Sequence, residues 1–376
     1  MEGSVLFKTG TLKGQKTNRW VVTFSLLGLA LGVRILLILA SKSPHLVERF
    51  YSASLYPYIA RILGFVSGLI PFSIAEFVLL TIPIFIIFAL YIIIRRPRYI
   101  LSNSKRIFHY TVRLLALGYI LFYLLWGFNY FRLDYLSLSH MSKSTTSYHD
   151  LKELTSIMIE RTNDLREALP EDEKGLLLVE EDIHELGRIA NKGFLDYKVG
   201  KIDLGEIHGR IKPVFLSKYM SYTGITGIYI PFTSEPTVNT HIPRHNLLST
   251  ISHEIAHQKG FAREDEANFI AYKANTSNPD KRFQYSGYYL AMTYLINEVY
   301  RENLDDYATL YDSISEEVKR DMSYAREYWK AREGKVKESA NKMNDNYLKA
   351  NYQEDGVRSY NGVVKLLLAE YKSGKN

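Results

Sequence analysis

His253, Glu254 and His257 are the residues of this 376-residue chain whose types and spacing point most directly to chemistry. On a helix, His253 and His257 lie one turn apart on the same face, so their imidazoles can reach one ion. Glu254 stands beside the first His, near enough to take a proton from water held by that ion. This is the H-E-x-x-H arrangement of zinc peptidases, with two ring nitrogens as ligands and a carboxylate as general base. In a chain of this composition the pattern arises by chance in roughly one sequence in fifty, so its flanks must decide. Leu247, Leu248, Ile251 and Ile255 recur at helical spacing and predict an amphipathic helix around it. His245 or Asn246, after Pro243, can begin that helix, and Gly260 can end it.

A catalytic zinc site with three protein ligands needs one more side chain and an open position. Residues 264–272 form a second helical pattern with three acids at its start, and a first-turn carboxylate can complete the set. Glu264 and Glu266 are about 200° apart on a helix, so only one of them can face the ion. Asn268 and the small residues Ala267 and Ala271 share the side of Glu264, and small residues let two helices approach closely. Glu264 is therefore the expected ligand and Glu266 the alternative. Asp265 and Glu266 are expected to complement the helix dipole.

Glu264-Asp265-Glu266-Ala267-Asn268 resembles the E-x-E-A-D signature that follows H-E-x-x-H in membrane-bound gluzincins of the HtpX type. The resemblance implies that Glu264 is the third zinc ligand. Asn268 stands where that group usually has Asp, in a position that supports a ligand. The gap from His257 to Glu264 is short for that group, so the loop between the helices must differ. The stretch from Ile225 to Ala271, with apolar segments before it, is also similar to a bacterial membrane-protein family known only as a domain of unknown function, DUF3810.

What precedes the motif is apolar. Three runs are about long enough to cross a bilayer: residues 20–40, 73–94 and 110–131. Basic residues flank them: Lys8, Lys13, Lys16 and Arg19 before the first, and Arg95, Arg96, Arg98, Lys105 and Arg106 between the second and third. By the positive-inside rule both clusters are cytoplasmic, so three crossings place everything after Arg132 outside the cell membrane. Between the first two runs, His45 to Pro71 mixes Glu48, Arg49 and Arg61 with Leu, Tyr, Ile and Phe, the pattern of a helix lying on the outer interface. The first 138 residues thus read as a membrane domain, and residues 139–376 as an extracytoplasmic one.

Net charge is +7, and the chain has no cysteine. The first is explained by topology and by solvated helix faces, since no nucleic-acid motif or P-loop accompanies it. The second excludes disulfides, thiolate ligands and a cysteine nucleophile, leaving imidazole and carboxylate as metal ligands. After a Ser/Thr-rich linker at 139–148, helical periodicity covers 150–169, 179–197, 285–300, 305–311, 315–332, 336–347 and 357–371. Residues 225–231 are β-branched and aromatic, ending on Pro231; they predict an edge strand, because proline cannot donate to a ladder. The expected fold is mainly α: transmembrane helices, then an α-rich α+β domain, zincin-like, with a small sheet.

The expected function is zinc-dependent hydrolysis of peptide bonds in a peptide or protein substrate. One Zn²⁺ is held by His253, His257 and Glu264, with Glu254 as general base. Tyr229, Tyr288, Tyr289 and His241 are candidates to steady an oxyanion or touch substrate. The competing expectation is a non-catalytic membrane sensor or scaffold that keeps a metallopeptidase-like fold. The intact Glu254 favours the enzyme, because a purely structural ion needs no base.

Overall fold

The computed structural model describes residues 19–141, 146–205, 208–351, 353 and 362–375. Lys8, Lys13, Lys16 and the middle of the Ser/Thr-rich linker lie outside the described residues. The chain is mainly helical. Its first part contains α1 (Arg19–Ser41), α2 (Tyr56–Gly68), α3 (Ile74–Arg95) and α4 (Pro97–Leu125). Of these, α1, α3 and α4 are long and apolar enough to cross a membrane. No side chain of α3 is buried against the protein, as suits a helix surrounded by lipid.

Two boundaries differ from the sequence expectation. Pro97, at the first helical position with no amide hydrogen to lose, starts α4 just after the break at Arg96, so Arg98, Lys105 and Arg106 ride on the helix. At the other end α4 stops at Leu125, and Gly127–Phe131 forms a 3₁₀ turn whose Tyr130 and Phe131 are buried in protein. The stretch between α1 and α2 is a helical turn, Pro44–Val47, followed by a π-helix, Glu48–Leu55. Helix α2 buries Tyr56, Ala60, Gly64 and Ser67 against the second half of the chain. Its opposite face exposes Tyr58, Ile62, Phe65 and Val66.

The second part carries α5 (Tyr148–Glu167), α6 (Ile183–Lys192), a hairpin of β1 (Lys198–Val199) and β2 (Ile202–Asp203), and strands β3 (Lys212–Pro213), β4 (Gly227–Ile230) and β5 (Glu235–Val238). Then come α7 (Arg244–Gln258), α8 (Glu264–Thr276), α9 (Lys281–Glu302), α10 (Leu304–Asp312), α11 (Glu316–Lys330), α12 (Lys335–Ala350) and α13 (Val363–Lys375). In the three-stranded sheet β5 is central, parallel to β3 and antiparallel to β4, with Ile228 opposite Thr237 and Ile230 opposite Glu235. Strand β4 is an edge, and Pro231 ends it.

Helix α7 is the centre of this half. It packs on α6, α8, α9, β4 and β5. It is buried on nearly every face rather than amphipathic: Leu247, Leu248, Ile251 and Ile255 are wholly enclosed, and so are the polar Ser252 and Gln258. A helix enclosed this way needs partners for its polar side chains. Ser252 Oγ donates to Asn275 Oδ1 at 2.5 Å, and Gln258 Nε2 to the carbonyls of His208 and Ser234 at 2.7 and 2.8 Å.

Two buried ion pairs tie the apolar helices to this body. Arg132, 1 % exposed, grips Glu48 with two bonds of 3.0 and 2.8 Å, gives a third at 3.0 Å to the carbonyl of Gly260, and lies over the Phe261 ring. Lys212 on β3 faces Glu235 on β5 at 3.7 Å. Lys212 holds the carbonyls of Ser67, Ile70 and Phe72 at the end of α2, and Glu235 accepts the amides of Ile74 and Ala75 at the start of α3. Each carboxylate or ammonium thus caps a helix end while neutralising its partner.

Removing one member of a buried pair strands the other charge. Arg132→Met is expected to cost about 3–5 kcal/mol, and Arg132→Met with Glu48→Gln less than that. Thermal unfolding of the detergent-solubilised protein checks this; equal melting temperatures for wild type and Arg132→Met would contradict the assigned role.

Candidate metal and catalytic site

The two helices that bear the sequence motif meet at an angle that brings three side chains together. Schellman-type bonds end α7: Gly260 adopts φ +84° and the Phe261 amide reaches back to the Ala256 carbonyl at 3.2 Å. A side chain at Gly260 would also strike the Tyr56 ring, 2.9 Å from where its Cβ would stand. The chain then reverses within a few residues and begins α8 at Glu264. The short His257–Glu264 gap is therefore spanned by one tight turn.

One carboxylate oxygen of Glu264, Oε2, lies 3.1 Å from His253 Nε2 and 3.5 Å from His257 Nε2. The three ligand atoms all lie within 4.8 Å of one another. The other ring nitrogens are occupied: His253 Nδ1 is 2.9 Å from Asn268 Oδ1, and His257 Nδ1 is 2.7 Å from the carbonyl of Phe261. Both are oxygen acceptors that favour a hydrogen on Nδ1, which turns the Nε2 lone pairs inward. Asn268 is itself held, its amide donating to Tyr294 Oη at 3.1 Å. A neutral amide oxygen does for His253 what a carboxylate would do.

The donor set fits a zinc ion: two imidazoles and a carboxylate, convergent, each imidazole held by a second bond. Charge balance among the protein's own groups points the same way. Burial alone would raise Glu264, yet His257 and His253 outweigh it and hold the carboxyl well below the usual range. Burial alone would lower His257, yet Glu264 outweighs it and takes the imidazole up to about 9. The three residues form a pre-assembled site of mixed charge that a divalent cation can enter by displacing protons.

Glu254 completes the picture. It is 3 % exposed, and its Oε2 has no hydrogen-bond partner. Burial pushes its carboxyl up to about 7, against the pull of His253 and His257. An orphaned buried carboxylate is costly, and a pKa near neutrality suits a group that takes and returns protons. Strand β4 runs alongside: Gly227 leaves the room that Glu254 occupies, and any side chain there would collide with the carboxylate.

A cavity of about 690 Å³ opens onto these groups. Residues Gly224 to Tyr229 form one wall, Asn341, Asn344 and Tyr347 of α12 face them, and Trp126 and Tyr130 form the side nearest α4. Trp126 is more than lining: its indole N–H donates to the His257 carbonyl at 3.2 Å, and its ring meets the His257 imidazole edge-on.

Of the residues expected to contribute, His253, Glu254, His257, Glu264 and Asn268 come together. Glu266 turns the other way, accepting from the Tyr135 amide at 2.8 Å and from Arg263 at 2.9 Å, so it anchors the turn that follows α4 and does more than complement a dipole. Tyr229 lies on the cavity wall, but its hydroxyl is engaged with Tyr56 and Ser234, each at 3.1 Å. Tyr288, Tyr289 and His241 are not on the cavity wall. Tyr288 packs beside Tyr272, Tyr289 packs on His245, and His241 meets Tyr328. Besides Tyr229, the phenols that line the cavity are Tyr130, Tyr294 and Tyr347, with Tyr130 donating to Tyr347 at 3.0 Å. Sequence offered little to single them out among 29 tyrosines.

No curated protein and no solved structure matches this chain. A family model described as a protein of unknown function, DUF3810, matches residues 51–368, a span that takes in α2 to α4, the sheet, both site helices and every residue of the His-His-Glu cluster. The chain belongs to the DUF3810 family of proteins of unknown function.

Proposed function

We propose that this protein is a membrane-anchored, zinc-dependent metallopeptidase with a gluzincin-like site. The observation that carries the reading is the single Glu264 oxygen shared between two imidazole nitrogens, with the unpartnered Glu254 carboxylate beside them. His253, His257 and Glu264 would hold the ion, and a bound zinc would supply Lewis-acid activation of water and of the scissile carbonyl. Glu254 takes the proton from the attacking water and returns it to the leaving amine. The free edge of β4 lies along the cavity and offers backbone groups to an extended peptide, as in β-strand addition. Tyr130, Tyr294 and Tyr347 are the phenols placed to donate to a developing oxyanion. In this reading the three apolar helices anchor the domain at a membrane, and the basic residues flanking them favour the extracytoplasmic side by the positive-inside rule.

Metal content and peptide cleavage test the reading together. Wild type and Glu254→Gln are expected to bind one zinc each, with cleavage at least about a hundredfold slower in the variant. Stoichiometric zinc with no cleavage of a broad peptide library would favour the non-catalytic scaffold instead.

The ligand assignment has its own test in a chelator competition. Glu264→Ala is expected to lose zinc, whereas Glu266→Ala keeps it and melts at a lower temperature. Asn268→Ala is expected to weaken zinc about 10–100-fold through a loosened His253. A larger loss of zinc in Glu266→Ala than in Glu264→Ala would reassign the third ligand.

A further inference from the structure

Strand β3 and the segment after it run along the corner between α2 and α3. Lys212 on β3 holds the carbonyls of Ser67, Ile70 and Phe72 in that corner. The amides of Phe215 and Leu216 then donate to Glu76, in the first turn of α3, at 2.6 and 2.8 Å. The turn between β4 and β5 reaches the same helix end. Its Thr233 hydroxyl donates at 3.0 Å to the Glu235 oxygen that also takes the Ser73 hydroxyl and the Ala75 amide. Two loops from the second half of the chain are therefore fixed at the level of the first turn of α3.

What these loops turn outward is aromatic. Phe215 is 85 % exposed, held through its amide and not by packing of its ring. Tyr219 and Phe232 are exposed as well. So are Phe72, just before α3, and Phe77, in its first turn, with ring centroids 6.5 Å apart. One exposed ring is ordinary on a protein surface, but a group of them around one helix end marks a contact surface.

The occupant follows from α3. That helix is 22 residues long, apolar throughout its middle, and buries no side chain against the protein, so hydrocarbon is the surrounding that suits it. The aromatic group continues the same uncovered surface past the end of the helix. The exposed face of α2, with Tyr58, Ile62, Phe65 and Leu69, leads into the same corner. Aromatic and aliphatic side chains beside the end of a spanning helix belong to the interfacial zone of a bilayer.

We propose that residues 214–219 and the β4–β5 turn are membrane-contacting elements, with Phe215 and Phe232 entering the lipid interface beside the first turn of α3. The second half of the chain then rests on the bilayer as well as being tethered to it. The proposal rests on α3 crossing a bilayer and not on the metallopeptidase reading. The wall of the metal-site cavity begins at Gly224, soon after Tyr219, so this contact sets the height of the cavity above the lipid.

The chain has no cysteine, so one introduced thiol carries one spin label. Phe215→Cys and Phe232→Cys are each labelled with a nitroxide in the full-length protein and reconstituted into phosphatidylcholine vesicles. Phe85→Cys, within α3, is the lipid reference. Leu304→Cys, equally an exposed apolar position but on α10, which packs on α5 and α9, is the water reference. Thermal melting checks that each labelled protein is folded. Collisions with oxygen, which partitions into lipid, and with a water-soluble nickel chelate are expected to place the labels at 215 and 232 about 5–10 Å into the headgroup and acyl boundary. The label at 85 should lie deeper, and the label at 304 should meet the nickel chelate freely. Free access of the chelate at 215 or 232 would overturn the proposal. Protection of either label from both reagents would overturn it too, since a second copy or another protein would then cover the rings. A water-like label at 85 would remove the bilayer from α3 and the proposal with it. Neither zinc nor turnover enters the readout.

Discussion

The site depends on one carboxylate oxygen standing between two imidazoles. For Glu264 to lie 3.1 and 3.5 Å from the two ring nitrogens, α7 and α8 must cross closely. Ala267 and Ala271, both wholly buried, make that approach possible. The rest follows from satisfying what such a crossing buries. Asn268 and the Phe261 carbonyl take the outer ring nitrogens, Tyr294 takes the Asn268 amide, and Trp126 takes the His257 carbonyl. Glu254 is the group this scheme leaves without a partner. Its Oε2 is one of the buried polar atoms left without a hydrogen bond, and it stands beside both imidazoles on the cavity wall.

The apolar helices and the turn that follows them are structural parts of this site. Trp126 is the first residue after α4, and Tyr130 follows one turn later. Arg132 then reaches Glu48 on one side and the turn between the site helices on the other. A second buried cluster of apolar side chains mixes Val33, Leu37 and Ile120 from the apolar helices with Tyr229 and Ala262 from the site region. The turn between the site helices is thus packed on the ends of the apolar helices. An isolated second half would expose Trp126-shaped and Tyr56-shaped gaps beside His257 and Gly260.

How much was legible in the sequence follows from the range of the interactions. The two histidines and Glu254 are local in the chain, and their helix announces itself through Leu247, Leu248, Ile251 and Ile255. Glu264 could be preferred over Glu266 because helical geometry separates them and small residues mark the approach side. Strand β4 as an edge was readable from Pro231. What could not be read is long-range. Glu48 and Arg132 are 84 positions apart, and nothing local pairs them. Trp126 to Phe131 continue an apolar run, and hydropathy does not distinguish an aromatic ring in lipid from one in a protein core. Tyr294 and Tyr347 reach the cavity from helices whose periodicity gives a face but not a neighbour. Tyr288, Tyr289 and His241 were near the motif in sequence or on a following helix, yet proximity along the chain did not bring them to the cavity.

The central claim is that two imidazoles and a carboxylate ligate one zinc ion. X-ray absorption at the zinc edge on the purified full-length protein addresses it directly. The account predicts stoichiometric zinc with a first shell of nitrogen and oxygen at about 2.0–2.2 Å and the outer-ring scattering of two imidazoles. Absence of zinc, or a shell of oxygen alone without imidazole scattering, would contradict it.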